Sequence, residues 1–134
     1  MWFRRRRRVR RPRSRGERAL YVQHKEEARV RIHERVSYWG GIVGVTPGRI
    51  AIRDQRSRWG SCSTKGNLNF NYRLVHVPEA LLDYVVVHEL CHLLEFNHSP
   101  AFWGHVARVL PDYALRKEAL HMLTRTMMQP ERKG

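Results

Sequence analysis

Acidic residues are scarce in this chain, with 12 Asp and Glu against 26 Lys and Arg in 134 residues, and cysteine is scarcer still, with two. Cys62 and Cys91 lie far apart and define no disulfide framework, so a small secreted scaffold is excluded and a reducing cytoplasm is the natural setting. Long hydrophobic runs are also missing. No segment approaches the roughly 20 apolar residues that a membrane-spanning helix requires. The stretch "ALYVQHKEEARV" after the N-terminal arginines provides no apolar core for a secretory signal. No internal repeat is visible, and the length suits one compact domain.

The excess positive charge is concentrated at one end. Residues 1–18, "MWFRRRRRVRRPRSRGER", hold ten arginines and a single acid, Glu17, a surplus of nine out of the net +14 that leaves +5 for the rest. Self-repulsion and the lack of anything to bury beyond Trp2, Phe3 and Val9 make this block an expected disordered tail, with residues 19–134 forming the folded domain. Two readings of the tail stand side by side: an arm for nucleic acid or other polyanions, binding by counterion release, and a plain solvated terminus.

Within the body the periodicity predicts an α+β fold. Tyr21, Ala28, Ile32, Val36 and Trp39 recur at helical spacing from about residue 18, and Gly40-Gly41 is expected to stop that helix. Ile50 and Ile52 suit a short strand. In "NLNFNYRL", Leu68, Phe70, Tyr72 and Leu74 alternate with Asn67, Asn69, Asn71 and Arg73, which predicts a half-buried strand. With Lys65-Gly66 as its turn, it forms a hairpin in a small antiparallel sheet. "VPEALLDYVVVHELCHLLEF" reads as a helix apolar on almost all sides and therefore central. Ser99-Pro100 opens a helix carrying Phe102, Trp103, Val106, Val109 and Leu110, and Asp112 can cap a last one carrying Leu115, Leu120 and Leu123.

The central helix carries "HELCHLLEFNH", residues 88–98. On a helix, His88 and His92 project from one face at a separation that lets two imidazoles share a zinc ion, Zn2+, and Glu89 sits close enough to reach a water on that metal. Zinc with three protein ligands keeps a place for water and lowers its pKa toward about 7, so Glu89 can take the proton as the water attacks a carbonyl and pass it to the leaving amine. His98 is the expected third ligand, provided the chain turns back after Phe96, with Asn97 in the left-handed conformation that ends helices. The spacing equals that of the metzincin motif, although Glu95 takes the place of its glycine. Cys91 is the alternative ligand that would close the site, and Cys62 reads as core with the option of approaching the cleft. His105 and Tyr113 are candidate stabilisers of a developing oxyanion. Trp59 and Trp103 read as core, while Arg53, Arg58 and Arg73 line either the cleft or a solvated face of the sheet.

"SRWGSC", the Asn and aromatic strand, "VVVHELCH" and "NHSPAFW" together resemble the YgjP-like metallopeptidase domain, a family of small zincins related to the SprT-type proteases, over roughly residues 50–113. The resemblance implies a compact zincin core with an edge strand beside the zinc cleft, His88, His92 and His98 as ligands, and Glu89 as the catalytic residue. The expected function is a zinc metallopeptidase acting on peptide or protein. The alternatives are a metal-dependent nucleotide phosphohydrolase on the same site and a non-catalytic, zinc-stabilised nucleic-acid-binding module. Oligomeric state is left open by the sequence.

Overall fold

The longest apolar stripe in the sequence builds the longest element. The computed structural model describes residues 11–128, and its first helix, α1, spans Arg15–Val43. Its N-terminus is a capping box: Ser14 Oγ accepts from the backbone N–H of Glu17 at 3.0 Å, and the Glu17 carboxylate accepts from the N–H of Ser14 at 2.8 Å. The helix thus begins inside the stretch expected to be tail. Residues just before it are also held, since Arg13 pairs with Asp54 at 3.0 Å and Arg56 donates to the carbonyl of Arg11. The rest of the expected disordered tail, residues 1–10, lies outside the described residues.

The expected stop at Gly40-Gly41 is overturned. The buried stripe of Ala28, Ile32, Val36 and Trp39 continues through Gly40 to Val43, so packing carries the helix one more turn. It ends at Gly44, whose φ of +88° is the left-handed cap that favours glycine.

Three strands follow: β1, Ile50–Arg53; β2, Gly60–Cys62; and β3, Leu68–Asn71. β2 and β3 form the expected antiparallel hairpin, turning through Gly66 at φ +84°. The sheet as a whole is mixed rather than antiparallel, because β1 runs parallel to β3, Ile50 facing Leu68 and Arg53 facing Asn71, in the order β1-β3-β2. The cause is the β1–β2 loop, which passes the end of β3 instead of turning back on β1. Asn71, fully buried, fastens that loop: its Nδ2 donates to the carbonyls of Gln55 at 2.8 Å and Arg58 at 3.0 Å. Asn71 also ends the strand early. Its Oδ1 accepts from the N–H of Arg73 at 3.0 Å, so Tyr72–His76 coil into a 3₁₀ turn where a continuing strand was expected.

The central helix, α2, spans Glu79–Cys91 and every residue from Leu81 onward is buried. α1 braces it: Arg35 forks onto the buried Asp83 at 2.7 and 3.0 Å, and Arg31 donates to the carbonyls of Leu74 and Val75. α3, Pro100–Val109, starts as expected, with Ser99 Oγ accepting from the N–H of Phe102. α4, Tyr113–Met127, departs from expectation twice. The Asp112 carboxylate takes the Arg116 guanidinium at 3.0 Å instead of capping the helix, and Leu115 is exposed while Leu120 is buried. Trp59, at the entry to β2, is locked to α4 by a 2.9 Å bond from its Nε1 to Thr124 Oγ1. Among the described residues, no helix is long and apolar enough to cross a membrane.

Replacing Asn71 by Leu strands two loop carbonyls and removes the hinge of the 3₁₀ turn. We expect a loss of about 2–4 kcal/mol in urea unfolding of the metal-free protein; a loss under about 0.5 kcal/mol would show that Asn71 does not hold the loop.

Candidate metal centre

In the last turn of α2, three polar side chains stand in an apolar wall. His88, Glu89 and His92 are all buried, at 2%, 0% and 3% exposure, among Val85, Val86, Val87, Leu90 and Cys91. Helical spacing places both imidazoles on one side, ring centroids 4.9 Å apart. The helix closes at Cys91, with His92 as its C-cap in ordinary helical geometry. Reversal then spreads over residues 92–97 with no left-handed step: among the described residues no non-glycine has positive φ, so Asn97 does not adopt the conformation expected of it. The helix stops before Phe96, so the chain has several residues in which to turn, and none needs an unusual φ.

That turn returns His98 to the pair. His98 Nε2 lies 3.1 Å from His92 Nε2 and 3.2 Å from His88 Nε2. Three nitrogens tetrahedrally bound to one zinc at about 2.05 Å would be about 3.3 Å apart; the two separations through His98 match this, and all three donor atoms lie within 4.8 Å of one another, so the set could hold that ion. It holds imidazole nitrogen alone, which leaves a coordination place for a substrate or water, as in catalytic rather than structural sites. The neighbours orient the rings. His92 Nδ1 lies 3.1 Å from the carbonyl of Glu95, which calls for the tautomer that leaves Nε2 as the lone pair. His88 Nδ1 lies 3.3 Å from Glu89 Oε2. Phe102, fully buried on α3, touches all three: its ring stacks on His92 at 4.3 Å and meets His88 and His98 at 5.1 Å each.

Burial pushes the His92 imidazole down to about 4, with the charge of His88 acting the same way, and burial brings His98 down to about 4 as well. Both rings therefore stay neutral, with lone pairs available, through the whole neutral range. Burial pushes the Glu89 carboxyl up, but its bond to His88 and the charges of His88 and His92 outweigh that and hold it below the usual carboxylate range. Glu89 is thus an anion at neutral pH.

The other candidates fall outside this cluster. Cys91 is buried and free, its thiol pushed up by burial to about 12, and the group that could hold a metal ion is the three histidines without it. Cys62 is a buried thiol pushed up to about 11 by burial and then by the Glu89 charge, so it does approach the centre, as an inert neighbour. Tyr113 connects to the centre through Trp103, which stacks on Tyr113 at 5.2 Å and on His98 at 5.9 Å. His105, half-buried on α3, makes no ring contact with the three histidines among the described residues. Arg53 donates across the sheet from β1 to Asn69 Oδ1 of β3, and Arg73 is bound by Asp54 and the Gln55 carbonyl in the β1–β2 loop, so both guanidiniums are engaged. Phe102 and the Glu95 carbonyl were not legible as site groups. One reads as ordinary core periodicity, and the other is backbone.

A buried His-Glu-His helix end joined by a third histidine, on a small α+β scaffold, defines a metallohydrolase. The model of the YgjP-like metallopeptidase domain matches residues 4–122, and the chain belongs to that family. The match is wider than the stretch from 50 to 113 that carried the resemblance. Two solved structures share the fold. The metallopeptidase zymogen abylysin of Pyrococcus abyssi is 23% identical, with a TM-score of 0.62 over 72% of this chain and 94% of that one. The metallopeptidase zymogen jannalysin of Methanocaldococcus jannaschii is 22% identical, with a TM-score of 0.59 over 72% and 97%. No curated protein matches the chain in sequence.

Two outcomes follow. Phe102→Leu leaves the backbone but loosens the three rings, and we expect metal affinity to fall about 10–100-fold in a chelator competition; unchanged affinity would mean that the ligands are held without it. In the metal-free protein the unfolded chain takes up protons near pH 6.5 while folded His92 and His98 resist until about pH 4, so stability falls as pH drops through that window; the histidine contributions level off below it, where protonation of Glu89 continues the fall. Thermal melts at pH 7, 5.5 and 4 read the fall, on the order of 2–3 kcal/mol for His92; a flat profile would contradict the depressed imidazole.

Proposed function

We propose that the chain is a zinc-dependent metallopeptidase that hydrolyses peptide bonds, with His88, His92 and His98 holding the metal and Glu89 as general base and acid. The observation that carries this reading is the convergence of three Nε2 atoms within 3.1 and 3.2 Å beside a buried carboxylate held anionic. Bound zinc supplies Lewis acidity, polarising the scissile carbonyl and lowering the pKa of water toward about 7. The chain's own residues do the rest. Glu89 accepts the proton of the attacking water and delivers it to the amine that leaves, so one carboxyl serves both halves of the reaction. Tyr113 and His105 are the groups proposed to steady the oxyanion; of these the aromatic stack through Trp103 favours Tyr113.

Substrate enters as an extended strand. β2 is the terminal strand of the sheet, paired to β3 on one side and lying against α2 with its three residues buried, and in this reading a peptide pairs along its other side beside the histidines. This pairing reads backbone rather than side chains. Two buried, unpaired thiols suit a reducing compartment, and the cytoplasm is proposed on that ground.

Glu89→Gln keeps size and hydrogen bonding but cannot accept the proton. We expect hydrolysis of a quenched-fluorescence peptide library to fall at least about 10³-fold with one zinc per chain retained, measured by elemental analysis. His98→Ala should lose or weaken the zinc. Full activity in Glu89→Gln, or full zinc in His98→Ala, would overturn the respective assignment.

A further inference from the structure

Gly60 opens β2 and is buried. Its backbone is ordinary: positive φ occurs among the described residues only at Gly44 and Gly66, so conformational freedom is not why glycine stands here. Space is. A Cβ on Gly60 would stand 3.2 Å from Glu89 Cγ, 3.3 Å from Glu89 Oε2 and 3.1 Å from the carbonyl oxygen of Asn69, all inside the ordinary carbon contact distance of about 3.5–4.0 Å. Neither side can easily give way. The strand is fixed before Gly60 by Trp59 bonded to Thr124 and after it by Ser61 opposite Asn69. Glu89 is 0% exposed on the central helix, with His88 Nδ1 at 3.3 Å from its Oε2.

We propose that Gly60 is the positioning residue of Glu89: the absence of a side chain lets the edge strand lie directly on the carboxylate, and the strand backbone fixes where the proton-accepting oxygen sits. This rests on the reading of Glu89 as general base. It also gives the glycine of "SRWGSC" a role that strand periodicity does not suggest. The surface that lines up a peptide and the surface that holds the base are then two sides of the same residue. A methyl at position 60 pushes the carboxyl off its place while leaving the three histidines, which it does not touch, able to bind metal.

The test is a cycle of four proteins: wild type, Gly60→Ala, Glu89→Ala and the double variant. In Gly60→Ala we expect one zinc per chain, a KM for the quenched peptide within about twofold, and a kcat lowered about 10–100-fold, the cost of a misplaced base. In the metal-free proteins, Gly60→Ala should lower Tm by roughly 4–10 °C when Glu89 is present, as overpacking does. The same change in Glu89→Ala should cost nothing or raise Tm, because the methyl fills vacated space. An equal Tm loss in both backgrounds would overturn the proposal and assign the glycine to the Asn69 carbonyl. So would an unchanged kcat in Gly60→Ala. If Gly60→Ala does not fold alone, recovery of folding in the double variant supports it and failure in both overturns it. The Tm cycle is independent of chemistry: full activity in Glu89→Gln would sink the base reading, whereas a Tm cycle without coupling would sink the Gly60 contact.

Discussion

Three imidazole nitrogens with lone pairs on one point, the state a metal requires, would repel each other, and the rest of this structure holds the rings there nonetheless. His92 is fixed as an Nε2 lone pair by the carbonyl of Glu95, and that nitrogen faces His98 Nε2 at 3.1 Å. A cation at the centre turns the repulsion into coordination, and ligand binding of this kind is folding energy for the native state alone. The scaffold is arranged to resist opening meanwhile. α2 is buried from Leu81 to its end, Phe102 lies against all three rings, and Arg35 of α1 grips Asp83 two turns before Glu89. The small sheet covers the flank of the same helix with β2.

What was legible in the sequence follows from how local each signal is. His88, Glu89 and His92 could be read because one helical turn fixes their relation, and the helix itself was marked by its apolar run. His98 was legible only through an assumed reversal; the chain does bring it beside His88 and His92, but without the left-handed Asn97, since stopping the helix at Cys91 leaves enough chain to turn without it. β1 shows the limit from another side. Two isoleucines signal a strand but not its direction, which was set by a non-local stitch, Asn71 holding the carbonyls of Gln55 and Arg58. Gly40-Gly41 failed as a stop signal because the buried stripe continued beyond it and packing outweighs a propensity of about 1 kcal/mol per glycine.

The site's supporting cast was hidden for a different reason. Phe102 keeps the same spacing as any core residue of α3, so nothing in its pattern separates a ring that packs the interior from one that backs the three histidines. Gly60 gave no signal because glycine in a strand suggests a bulge or a weak point. Glu89, whose Cγ a side chain at position 60 would meet at 3.2 Å, is 29 positions away in sequence, and only the fold brings them together.

The scarcity of acid with which the chain begins has a structural counterpart. Among the described residues the buried acids are Asp83 and Glu89. Asp83 is neutralised by the fork of Arg35, and half-buried Asp54 is shared between Arg13 and Arg73, so in each case an arginine lies within 3.0 Å. Glu89 is different. Among the described residues its carboxylate lies 3.3 Å from a histidine nitrogen, His88 Nδ1, and the other nitrogen of that ring faces His98. An apolar setting alone would push Glu89 toward its protonated form. Its bond to an imidazole that itself faces the other two histidines offsets that burial, keeps the carboxylate charged, and ties its proton affinity to whatever the three histidines hold.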